Sequence, residues 1–346
     1  MTEPAKGGLM LAEAGEASAV VARQLAANAT LMADFAARLR ERSPSVLFTC
    51  ARGSSDHAAT FAKYLFETRL GIPTVSQAPS ISSVYGEALD HMRGQPFLLV
   101  SQSGRSPDLL ASAEAATKAG ALVVALVNDT SSPLAAMAEI VVPLHAGPET
   151  SVAATKSYIA TLAAFTQLAA LWRADADLIA AVDALPEALA AAWQADWSAG
   201  AEVIQRHDDL YVLGRGLTFG IAQEAALKCK ETCGIHGEAF SIAEGAHGPM
   251  ALAGPNFPLL VFPPLDKAAE GLDAALTGFA ASRAPILLAG AARAGTIPLP
   301  LPTNLHPVTG PIAMIQSFYR MIHTVALARG HDPDHPPMLR KVTETR

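Results

Sequence analysis

Short apolar runs alternate with amphipathic stretches along most of this chain. Ser45-Val46-Leu47-Phe48-Thr49-Cys50-Ala51 leads through Arg52-Gly53 into a helical pattern that ends at Leu70-Gly71-Ile72. Leu210-Tyr211-Val212-Leu213 leads through Gly214-Arg215-Gly216 into another, ending at Cys233-Gly234-Ile235. The Arg-Gly pairs at 52 and 215 lie 163 positions apart, and so do the Gly-Ile pairs at 71 and 234. The next segments also correspond. Pro96 to Val100, a helix, then Ala121 to Val127 resembles Pro258 to Phe262, a helix, then Ala284 to Ala289. Strands alternating with helices in a repeated unit predict two α/β lobes, each a parallel sheet flanked by helices. Residues 1–44 read as an N-terminal helical segment, and 45–200 as the first lobe plus Ala-rich connecting helices. Residues 201–330 read as the second lobe and 331–346 as an extended, Pro-rich tail.

Composition narrows the class. The chain has 346 residues, 51% hydrophobic and 16% charged, which describes a globular protein with ample core and the length of two lobes. A net charge of −7 argues against non-specific binding to nucleic acid or to an anionic membrane surface. Cys50, Cys229 and Cys233 make neither a disulfide framework nor a zinc or redox pattern, so buried packing thiols in a reducing cytoplasm are expected. Glu3, Glu13 and Glu16 interrupt the start, which excludes a signal peptide on this reading. The most apolar helix candidate, Tyr158 to Trp172, is shorter than the roughly 20 residues a bilayer needs. No histidine or carboxylate spacing defines a metal site, and the acidic, His-bearing tail reads as solvated.

The candidate chemistry begins where Phe97 to Val100 breaks into Ser101-Gln102-Ser103-Gly104-Arg105-Ser106-Pro107-Asp108. A helical segment, Leu109 to Ala119, follows, with Ser106 a good N-cap and Pro107 suited to the first turn. A strand–loop–helix junction of this kind points free N–H groups and the positive helix end at one spot. Serine hydroxyls and Arg105 would complete a phosphomonoester cradle; the alternative is a plain polar turn. It is not a Walker loop, and Gly214-Arg215-Gly216 lacks the context of a dinucleotide fingerprint. In the second lobe, Glu224, Lys228 and Glu231 share one helix face. They form either a solvated row of ion pairs or, given apolar neighbours, a carboxylate held as a general base. His247, in Gly-Ala-His-Gly-Pro, reads as a presented side chain on a loop.

Together these motifs resemble the sugar isomerase (SIS) domain family across nearly the whole chain. The carriers are Arg52-Gly53-Ser54-Ser55, Ser101-Gln102-Ser103-Gly104, Val152-Ala153-Ala154-Thr155-Lys156, Glu224 to Glu231, His247-Gly248-Pro249 and the tail Asp332-x-Asp334-x-Pro336-x-x-Leu339-x-Lys341. The resemblance implies flavodoxin-like three-layer lobes in the arrangement of the isomerase half of glucosamine-6-phosphate synthase. It also implies that Ser54, Ser55, Ser101, Gln102, Ser103, Arg105 and Ser106 bind the phosphate and nearby hydroxyls, with Val152 and Ala154 against the sugar. Glu231 would move a proton between C1 and C2, supported by Lys228. His247 would assist ring opening from the neighbouring subunit of a homodimer with shared sites, and Lys341 would stand near the carbonyl end. No cofactor and no metal are implied.

The departures shape the expected activity. The synthase carries a glutaminase domain with an N-terminal cysteine, whereas this chain starts Met1-Thr2 and keeps its cysteines in the sugar lobes. Arg105-Ser106 stands where the synthase has Glu-Thr, and Ala154 where it has Ser. The loops look instead like those of SIS-type glucosamine-6-phosphate deaminases. The expectation is a cytoplasmic enzyme converting glucosamine 6-phosphate to fructose 6-phosphate and ammonia. The alternatives are a synthase-like isomerase, a fructosamine-phosphate deglycase, a ketose/aldose phosphate isomerase, and a non-catalytic sugar-phosphate sensor.

Overall fold

The protein is described by a computed structural model covering residues 7–341. The first sheet contains β1 (Leu47–Cys50), β2 (Thr74–Ser76), β3 (Pro96–Ser101), β4 (Leu122–Val127) and β5 (Ile140–Pro143), ordered β2-β1-β3-β4-β5. The second contains β6 (Asp209–Gly214), β7 (His236–Ser241), β8 (Leu259–Val261), β9 (Ile286–Ala289) and β10 (Ile297–Leu299), ordered β10-β9-β8-β6-β7. Read from the other edge, the second order is the first repeated. All paired strands run parallel. The expected pair of α/β lobes is the observed architecture.

The apolar runs follow from this arrangement. β1, β3, β4, β8 and β9 are buried at every residue, because helices cover both faces of a parallel sheet. In the first lobe Phe97, Leu99, Val123 and Ala125 share a core with Leu109, Ala113 and Ala116 of the Pro107–Ala119 helix. In the second, Leu213, Val261 and Leu288 share one with Leu276 and Phe279 of the Leu272–Ala281 helix. The duplication reaches the backbone angles. Gly53 (φ 55°, ψ −133°) and Gly216 (φ 61°, ψ −129°) both launch the first helix of their lobe from a conformation that only glycine adopts without strain.

The chain forms two compact units that are not continuous in sequence. One comprises Ala19–Glu149 and Ser157–Asp183 with residues 340–341; the other comprises residues 7–18, Thr150–Lys156 and Ala184–Leu339. The N-terminal segment is helical, as Gly8–Gly15, Ala17–Ala27 and Ala29–Arg42, and is divided between the units at residue 18. The Ala-rich stretch is helical too: Lys156–Arg173 and Ala176–Asp183, then Leu185–Gln194 and Ser198–Ile204. Boundaries at 44 and 200 thus follow chain order, whereas packing follows which helix face meets which sheet. From 331 to 341 the tail has neither helix nor strand, and its predicted continuation to 346 lies outside the described residues.

Candidate active site

In an open parallel sheet ligands bind beyond the carboxyl ends of the strands, where the strand order reverses. In the first lobe that place lies between β1 and β3, whose exits carry Arg52-Gly53-Ser54-Ser55 and the Ser101 to Ser106 loop. Ser54 and Ser55 open the Ser54–Arg69 helix. The second loop is anchored by its own groups: Gln102 and Gly104 carbonyls accept from Asn128 and Leu134 N–H at 3.2 Å each. Ser101 Oγ accepts from Gly104 N–H at 3.0 Å, and Ser103 Oγ from Arg105 N–H at 3.4 Å. Gly104 has φ +63°, and a Cβ there would lie 2.2 Å from Ser132 Oγ. Glycine is therefore required twice over.

Charges around the loop are already paired. Arg52 Nε lies 2.8 Å from Asp108 Oδ2, an almost fully buried carboxylate, so the arginine of one motif grips the aspartate of the other. Arg105 bonds Asp129 at 2.8 Å. The hydroxyl of Ser131, joined by Arg105, holds the Asp129 carboxyl below its ordinary range. Burial pushes the Asp56 carboxyl up, against the pull of His57 and Arg52. Ser106 occupies the N-cap as expected, but its hydroxyl makes no capping bond. The neighbouring carboxylate competes for the same donor: the third helical N–H, that of Leu109, is taken by Asp108 Oδ1 at 2.8 Å. The corresponding exit of β8 reads Phe262-Pro263-Pro264-Leu265-Asp266, where the Asp266 carboxylate accepts from Ala268 N–H at 2.9 Å. The second lobe keeps the topology without the serines.

The Val152 to Lys156 motif belongs to the second unit. Glu13, a buried carboxylate of the Gly8–Gly15 helix, accepts from Thr150 N–H at 2.5 Å, Thr150 Oγ1 at 3.0 Å and Ser151 N–H at 3.3 Å. Val152 N–H donates to Asp334 O at 3.2 Å, while the Asp334 carboxylate accepts from Leu9 and Met10 N–H at 3.0 and 2.7 Å. Loop, tail and N-terminal helix thus hold one another. Ala154 is half-buried. In the first unit Lys341 Nζ stands 3.4 Å from Glu149 Oε2. Glu149 is fully enclosed and also receives Ser157 Oγ at 2.5 Å and Ser157 N–H at 3.1 Å.

In the Leu217–Cys233 helix, Lys228 Nζ donates to Glu231 Oε2 at 2.6 Å and lies 3.3 Å from Glu224 Oε1. Side-chain exposures of 0% for Glu224, 1% for Lys228 and 21% for Glu231 exclude a solvated row of ion pairs. Burial disfavours the Lys228 ammonium, yet the two carboxylates outweigh it and hold the group well above the ordinary lysine range. Tyr319 of the Gly310–Ala328 helix donates to Glu224 Oε1 at 3.0 Å. His247 is exposed at the head of a short 3₁₀ turn, Gly248–Leu252, as its loop predicts. Glu13, Glu149 and Tyr319 escaped sequence reading. Glu149 stands three residues before Val152 with no periodicity to mark it, and Tyr319 sits in a run that reads as core.

Among the described residues no helix is long and apolar enough to cross a membrane. The family model for the SIS domain matches residues 42–171. A glutamine–fructose-6-phosphate aminotransferase of Thermococcus kodakarensis is 31% identical over 308 residues, covering 84% of this chain and 50% of that protein. The chain spans about half the length of the curated relatives it matches. A candidate phosphosugar isomerase from Silicibacter pomeroyi superposes with a TM-score of 0.89 at 42% identity, over 94% of this chain and 99% of that one. The glucosamine-6-phosphate deaminase of Thermotoga maritima shares the fold, with a TM-score of 0.77 at 21% identity over 97% and 99%. Duplicated lobes, a serine loop at the first switch point and this degree of likeness lead to one conclusion: the chain belongs to the SIS-domain family and is homologous to the isomerase domain of glutamine–fructose-6-phosphate aminotransferases.

Proposed function

We propose that this SIS protein is a cytoplasmic amino-sugar-phosphate isomerase that deaminates glucosamine 6-phosphate. The observation that carries the reading is Glu231, a one-fifth-exposed carboxylate oriented by a buried ammonium 2.6 Å away. That is the form a positioned proton-moving base takes, and such a base is worth roughly 10²–10⁴ in rate. Glu231 takes the C2 proton of the open aldose and returns it to C1. The enolamine becomes a ketose imine, water adds at C2, and ammonia leaves with fructose 6-phosphate. The serine loop, with Ser54, Ser55 and Arg105, binds the phosphate, and Val152 and Ala154 flank the sugar. Lys341 serves the carbonyl end, and His247 opens the ring from the partner chain of a homodimer.

The test is to incubate protein with glucosamine 6-phosphate, with and without glutamine, and measure ammonia and fructose 6-phosphate. Equal release of both without glutamine is expected. Glu231→Gln is expected to abolish turnover while leaving sugar-phosphate binding nearly unchanged; full activity in that variant removes Glu231 from the mechanism. The likeness to aminotransferases supports a second reading, the amination of fructose 6-phosphate. Net glucosamine 6-phosphate formation from fructose 6-phosphate and ammonia, without measurable deamination, would favour it.

A further inference from the structure

A base that must gain a proton is poorly served by an ammonium at 2.6 Å, because an opposite charge favours the ionised carboxylate. The row in the Leu217–Cys233 helix contains a counterweight. Glu224, with no exposed side-chain surface, lies 3.3 Å from the same ammonium and receives the phenol of Tyr319 at 3.0 Å. With Glu224, Lys228 and Glu231 all ionised, the row carries one net negative charge. When Glu231 gains a proton the row becomes neutral, and Glu224 with Lys228 remains as a closed buried pair. The enclosed carboxylate, not the base, then balances the ammonium. A buried charge left without such a partner would be strongly disfavoured.

Resting on the reading of Glu231 as the proton-moving base, we infer that Glu224 and Tyr319 are positioning residues that set its basicity by sharing the hold on Lys228. Lys230, the neighbour of Glu231 on the same helix, is a second cation acting on the base, and it is common to every variant compared below. Other titratable groups on the elements packed against this helix face elsewhere. Asp209 of β6 pairs with His236 of β7 at 3.2 Å, and Glu238 of β7 acts on Lys230 and on Tyr211 of β6. On the Gly310–Ala328 helix, Arg320 donates to Trp193 O and His323 bonds Gly7 O at 2.9 Å. Tyr319 is the residue of that helix that reaches into the row. Its position is 95 residues from Glu224 in sequence, so the helix that carries it holds the tuning group for the other.

The experiment is a carboxyl-carbon NMR titration of Glu231 in ¹³C-glutamate-labelled full-length protein, beside the pH profile of kcat/KM for ammonia release. Glu224→Gln removes the like charge, so the Glu231 midpoint should fall by about one pH unit or more, with the acid limb of the profile following it. Tyr319→Phe leaves the whole Glu224 charge on Lys228 and loosens the hold on Glu231, so that midpoint should rise. A packing role would not move the two in opposite directions. An unmoved midpoint in Glu224→Gln, or shifts of the same sign, overturns the inference. If the Gln variant does not fold, Tyr319→Phe decides alone: a rise supports the inference and an unmoved midpoint overturns it. Opposed midpoints in a protein that turns over no sugar phosphate would sink the proposed function and leave the charge sharing standing.

Discussion

Gly104 shows how narrowly one residue can be specified. Its positive φ costs an L-residue roughly 1–2 kcal/mol, and the close approach of Ser132 adds overpacking of about 1–3 kcal/mol. Gly104→Ala should therefore lower the thermal midpoint and weaken glucosamine 6-phosphate binding together, measured by a melt and by calorimetry. A variant that melts normally would mean the loop has room to shift. The cysteines report on burial in a different way. Burial pushes the Cys50 thiol up to about 12 and Cys233 to about 11, and carries Cys229 well above 9.0. As pH rises past 9.0 the unfolded chain loses these protons before the folded one, so the unfolded state gains. Stability should then fall between about pH 9 and 12, and substituting serine for Cys50 should flatten that decline in denaturant titrations. At pH 8 the native protein should react slowly with thiol reagents until it is unfolded.

At the scale of elements, the tail and the N-terminal helix are each other's support. Asp334 takes the two N–H groups that the Gly8–Gly15 helix would otherwise leave open. Asp334→Ala should cost about 0.5–2 kcal/mol and speed amide exchange at Leu9 and Met10; unchanged exchange would mean the helix start is held by other contacts. The sequence marks Asp334 as part of a motif but cannot name its partners, which stand 325 and 324 positions away. The same limit applies at the acid–base row. Helical spacing put Glu224, Lys228 and Glu231 on one face, while the phenol that completes the row comes from a separate helix with an apolar pattern. The inner strands were legible because a parallel sheet buries both their faces, so each became a continuous apolar run, whereas the outer strands β2, β5, β7 and β10 are partly open and carry no continuously buried run. The missing cap bond at Ser106 was not, since it turns on which of two neighbouring side chains wins one N–H.

Across the whole molecule, the duplicated topology was visible in the 163-residue offset, but the interleaving of the two compact units was not. Helices at 8–42 and 156–204 carry no sign in their composition of which sheet they will cover. The duplication also predicts stoichiometry. Only the first lobe keeps serines beyond its third strand, so each chain should bind one sugar phosphate, and Ser103→Ala should weaken that site. Two equal sites in calorimetry would contradict this. The matched backbone at Gly53 and Gly216 separates inheritance from use. The second lobe has kept the glycine that launches its first helix while Pro263-Pro264-Leu265-Asp266 replaced the serine loop. The second lobe therefore shares the frame of the first without its serine-bearing exit. Such a lobe is a natural host for transplantation: a Ser-Gln-Ser-Gly graft at 263–266 would ask whether that frame alone suffices to make an anion site.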